Sequence, residues 1–179
     1  MVILEKYSEK IFDDPVKTVL GNPVVKERVF VVKGKNYVAE ISNAGGGSIA
    51  SFSLTKHLKK SENSLNLIDD YNSNNLFVSF VNQSGEVVSL NENWNLISGG
   101  SVDLSETNPK ASFLFTTEHL GRPVTKELIF YFDSYEIDVS TSLRSLKGVS
   151  LDEKYTLSWV GGLPEHEGSQ DAMFMEGLI

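Results

Sequence analysis

The residues of this chain that could do chemistry are few and scattered: His57, His119 and His166, a set of strand carboxylates, one glycine run and several flat aromatics. A histidine metal site on a helix needs a second His or carboxylate at i+3 or i+4, and none of the three has one. Glu118-His119 and Glu165-His166-Glu167 are adjacent pairs, whose side chains diverge to opposite faces in a strand and converge only in a loop. No G-x-S-x-G elbow accompanies the many serines, so a serine nucleophile has no local signature. Glu127, Glu136 and Asp138 fall on one face of a hairpin and could line a groove as an acid/base set; a solvated sheet face explains them as well. Asn43-Ala44-Gly45-Gly46-Gly47 invites a phosphate-loop reading, but such a loop needs a helix beyond the glycines. Ser48 to Lys56 alternates Ala50, Phe52 and Leu54 with Ser51, Ser53 and Thr55, which is a strand, so the glycines read as a turn. Trp94, Tyr155 and Trp159 raise sugar stacking, although aromatics at strand positions usually serve a core. The expectation is therefore no catalytic, cofactor-binding or metal-binding residue, and no cofactor.

The elements that position these groups centre on Val124 to Leu143, VTKELIFYFDSYEIDVSTSL. Read as a hairpin turning at Asp133-Ser134, it sets Phe132 opposite Tyr135, Phe130 opposite Ile137, Leu128 opposite Val139 and Val124 opposite Leu143 on a buried face. Tyr131 with Glu136, Ile129 with Asp138 and Glu127 with Ser140 form the half-solvated face. Asp133-Ser134 lacks the Asn-Gly chemistry that pins a two-residue turn, and a one-residue slip would exchange the faces. Upstream, Arg28 to Val32 and Tyr37 to Ser42 flank Lys33-Gly34-Lys35-Asn36, where Gly34 could supply a positive φ; a hairpin and a kinked strand both fit. Short strands are expected at Leu76 to Val81, Val87 to Leu90, Trp94 to Ile97, Ser101 to Leu104, Ala111 to Thr117 and Tyr155 to Val160. Turn signals every ~8 to 12 residues between such runs mark a sandwich. His57 to Asn75 reads as a polar crossing between sheets.

Composition narrows the function classes. With 16 basic and 24 acidic residues the net charge is −8, which argues against a nucleic-acid surface and against adsorption to an anionic leaflet. The absence of cysteine removes disulfides and thiolate metal sites without fixing a compartment. No apolar run approaches the ~18 residues of a spanning helix. Met1 to Asn22 lacks a clean period, although Leu4, Tyr7 and Ile11 would share one face of a short peripheral helix.

Three segments, in order, carry a resemblance. Phe30 to Lys56 resembles the opening of the periplasmic domain of the YidC family of membrane protein insertases: strand, strand, glycine-rich turn, and a strand ending in Leu54-Thr55-Lys56. Gly121 to Leu143 is similar to that domain's G…TK-x-F-x-F…D-x-Y-x-I-D-V segment, through Thr125-Lys126, Leu128, Phe130, Asp133, Tyr135 and Ile137-Asp138-Val139. Leu157-Ser158-Trp159 followed by Gly161-Gly162-Leu163-Pro164 is similar to its W-x-x-G-L-P segment. Arg144-Ser145 stands where the family often has an Asn-containing turn.

The resemblance implies an all-β fold, an antiparallel two-sheet β-supersandwich of the galactose-mutarotase type. It implies residues 1–23 as a tether from an upstream membrane anchor and 24–179 as the domain, cut short at its C-terminus. It further implies a periplasmic place at the inner membrane and a non-catalytic role beside the Sec translocon, in contact with that translocon and with membrane-protein clients. The alternative is a carbohydrate-binding or aldose-epimerase-like module of the same superfold. A sandwich lacking its last strands would leave an unpaired edge, so edge pairing between chains, or a C-terminus without order from about Gly168, is expected. An extended client peptide adding to such an edge is a third reading.

Overall fold

Period-two alternation, with apolar residues turned inward on successive strands, builds this chain almost entirely from β-structure. The structure is a computed structural model and describes residues 25–56, 65–68 and 75–159. The tether and helix expected before residue 24, most of the 57–75 crossing, and Gly161 onward lie outside the described residues. The strands are β1 (Val29–Lys33), β2 (Tyr37–Ser42), β3 (Ser48–Leu54), β4 (Leu65–Asn66), β5 (Phe77–Val81) and β6 (Val87–Leu90). They continue as β7 (Asn95–Ser98), β8 (Val102–Asp103), β9 (Lys110–His119), β10 (Arg122–Tyr131), β11 (Ile137–Ser142) and β12 (Thr156–Ser158). One turn of 3₁₀ helix, Arg144–Leu146, follows β11.

The arrangement is sandwich-like, as expected, but backbone hydrogen bonds group the described strands into three sheets, ordered β4-β3-β2-β1-β8, β11-β10-β9-β7 and β12-β5-β6. All pairings are antiparallel except the short β1–β8 contact. The first two sheets press their apolar faces together. Phe30 of β1 meets Phe113 and Phe115 of β9 at ring-centroid distances of 6.1 and 6.3 Å, and Phe130 of β10 sets its ring edge-on to Phe113 at 5.8 Å. Phe113, Phe115, Val124, Leu128 and Phe130 are all wholly buried. These side chains remove apolar area from water around the central hairpin, the term that dominates folding.

The central hairpin has the expected register: Phe130 pairs with Ile137, Ile129 with Asp138, Leu128 with Val139 and Glu127 with Ser140. Its turn is longer than expected. β10 ends at Tyr131 and β11 begins at Ile137, so Phe132 to Glu136 form the connection and the Phe132–Tyr135 and Tyr131–Glu136 pairs do not form. Phe132 instead donates its N–H to Pro109 O (2.8 Å) and accepts from Lys35 N (2.8 Å). The Lys35 ammonium pairs with Asp133 at 2.7 Å, joining this turn to the one between β1 and β2. That upstream pair is a hairpin rather than a kinked strand. Gly34 does not adopt positive φ; it is glycine for space, because a Cβ there would lie 2.1 Å from the Tyr37 ring.

Candidate functional site

Among the described residues, those singled out for chemistry do not come together. His57 and His166, with Glu165 and Glu167, lie outside the described residues. His119 ends β9 and turns its ring edge-on to Phe80 at 5.4 Å. It borders an open groove of about 1100 Å³ shared with Glu92, Glu118, Asn91 and Asn93, where the Glu92 carboxylate already accepts from Thr117 Oγ1 at 2.9 Å. Among the described residues no three His, Asp or Glu side chains gather as a metal site would require. Glu127 and Asp138 sit on the solvated face of the hairpin, and each carboxylate is taken by a hydroxyl, from Ser112 and Tyr131 respectively. The hydrogen bond to Asp138 holds the Tyr131 phenol above its ordinary range, because the bond favours the protonated form. Glu136 is exposed in the turn. Trp94 is wholly buried and cannot stack on a sugar, whereas Tyr155 and Trp159 are half-exposed on either side of β12.

The glycine run is a packing device. Its N–H groups are consumed internally: Gly45 N donates to Glu92 O, Gly46 N to Asn43 O and Gly47 N to Ala44 O, at 2.8 to 3.3 Å. No anion cradle remains in it. Gly45, Gly46 and Gly47 all have positive φ, and the last two admit the core. A Cβ on Gly46 would stand 2.6 Å from the Trp94 ring, and one on Gly47 would stand 2.4 Å from Leu128 Cδ1. Asn43, at the start of the turn, spends its whole side chain on Arg28 N, Lys26 O and Trp94 O.

Beneath this turn lies the one Lys, Arg, Asp or Glu side chain that is wholly buried among the described residues, Lys126 of β10. Its Nζ donates to Gly45 O at 2.9 Å and to Leu76 O. Desolvation lowers its pKa from 10.5 to about 7. A neutral amine has two N–H bonds, which match the two carbonyls it meets. Alternation along β10 places Lys126 between Val124 and Leu128 on the inward face. That inference was available from the sequence and is easily passed over, because a lysine in a hydrophobic stripe reads as an exception.

Two strand edges flank a second groove. β11 pairs with β10 along one side and with no described strand along the other. A cavity of about 740 Å³ opens beside its C-terminal half, lined by Ser140 to Arg144, Leu146, Lys147 and then Lys154 and Tyr155 at the approach to β12. Lys147 pairs with Glu153 across this groove at 3.7 Å.

A protein-family model described as the YidC periplasmic domain matches residues 30–179. No curated protein and no solved structure matches the chain.

Proposed function

The chain belongs to the YidC periplasmic domain family over residues 30–179, and we propose from this that it is the periplasmic part of a membrane protein insertase. In this reading residues 24–179 are a domain held at the inner membrane by the tether of residues 1–23. It assists insertion and folding of membrane proteins beside the Sec translocon, through contacts between polypeptides and without a catalytic step. The family match is the observation that carries this reading. The dispersion of His119, Glu127, Glu136 and Asp138, each satisfied locally or solvated, is consistent with it. No described helix is long and apolar enough to cross a membrane, so the spanning work belongs to other segments of such an insertase.

The test is site-specific photocrosslinking in cells, with the probe at exposed positions of this chain inside the full-length insertase. Crosslinks to translocon subunits and to nascent membrane proteins are expected. Their absence at every position, together with heat of binding for a common hexose at millimolar concentration, would replace the reading with the sugar-binding one.

A further inference from the structure

We infer that the free edge of β11, with the basic groove beside its C-terminal half, docks one extended segment of another polypeptide that carries acidic side chains at one end. This rests on the reading of the domain as a module for polypeptide contacts.

The edge itself is the first observation. β11 is six residues long, whereas β6 and β7 have four, β12 has three, and β4 and β8 have two each, so it is the longest unpaired edge among the described strands. An antiparallel edge strand turns alternate pairs of N–H and C=O groups outward, and these pair readily with an added strand. Proteins usually blunt such an edge with Lys, Pro or a bulge. The sequence Ile137-Asp138-Val139-Ser140-Thr141-Ser142 has neither residue, and its register with β10 runs without interruption.

Charge is the second observation, and it selects the occupant. The groove carries Arg144, Lys147 and Lys154 against the single carboxylate Glu153, on a chain whose net charge is −8. Lys147 is engaged by Glu153; Arg144 and Lys154 are exposed and have no carboxylate partner among the described residues. The other end of the strand is acidic, with Glu136 and Asp138. An added strand therefore places its carboxylates at the Arg144 end, and its apolar side chains meet Leu143 and Tyr155. A free anion would satisfy the cations and leave the ladder groups of β11 unpaired, so the geometry favours a polypeptide.

The probe is a fluorescent peptide of about eight residues, alternating valine with threonine and ending in two glutamates, titrated into the 179-residue chain. Saturable binding is expected, with the amides of residues 137–142 slowed in hydrogen exchange. N-methylation of alternate peptide nitrogens should weaken binding about tenfold or more by removing ladder donors. The Arg144→Glu/Lys154→Glu variant should weaken the glutamate peptide by a similar factor and prefer a version ending in lysines. Binding that ignores both changes, protection elsewhere, or no binding at millimolar peptide would overturn the inference. So would protection of 137–142 in the chain alone, with sedimentation then assigning the edge to a second copy or to the chain's own residues. If the peptide fails while photocrosslinks to clients persist in the full-length insertase, only this edge is wrong and the proposed function stands.

Discussion

Lys126 is the residue at which chemistry and stability meet. Its pKa near 7 in the fold, against 10.5 when exposed, means that between those values the unfolded chain binds a proton that the folded chain does not. Stability therefore rises with pH across this window, by up to about 1.4 kcal/mol per unit, and levels off below about pH 7, where both states are protonated. Urea unfolding at about pH 7 and about pH 9 should show the increase, and Lys126→Met should flatten it. An unchanged slope in the variant would assign the effect to other groups. The glycines offer a second contrast. Gly47 and Gly85 both have positive φ, but a Cβ on Gly47 would collide with Leu128 and Phe115, whereas nothing lies within 4 Å of one on Gly85. Gly85→Ala should cost about 1 to 2 kcal/mol for the left-handed backbone alone. Gly47→Ala should cost at least about 1 to 3 kcal/mol more for overpacking. Equal melting shifts for the two would contradict the packing assigned to the turn.

At the scale of the element, β10 is the strand on which the fold converges. Its inward face carries Val124, Lys126, Leu128 and Phe130, all wholly buried, and its outward face Thr125, Glu127, Ile129 and Tyr131, all partly solvated. Phe130→Ala should cost about 3 to 5 kcal/mol through lost burial and the cavity left against Phe113. Thr125→Ser, one face over, should stay within about 0.5 kcal/mol. Chemical unfolding of the two variants checks this, and similar losses at both positions would mean that the faces are not as described. The hairpin turn shows why element boundaries are harder to read than faces. Nothing local in Phe132 to Glu136 indicates that Phe132 will bond to Pro109 and Lys35 instead of Tyr135; those partners lie on other strands.

For the whole molecule, three sheets share one core, and the edges they leave are where function is expected. Asn43, Lys126 and the Lys35–Asp133 pair each tie together segments distant in sequence, so the scaffold is braced around the central hairpin, while β11 has no described strand on its outer side. A rigid sheet with a free edge loses little conformational entropy when it accepts a strand. In the proposed function, this is how the domain would act through contacts with other polypeptides.

Strand positions, inward faces, hairpin register and family were legible along the chain, because period-two alternation and the Thr125-Lys126 to Val139 segment are local patterns. Three matters depended on contacts between segments far apart in sequence. Gly34, Gly46 and Gly47 are glycines because Tyr37, Trp94 and Leu128 occupy the space above them. Lys126 is held near neutrality by the depth at which β10 runs beneath the turn. Among the described strands the longest unpaired edge belongs to β11 because of how strands pair, and alternation, which sorts the side chains of a strand between two faces, carries no record of which strand will lie beside it.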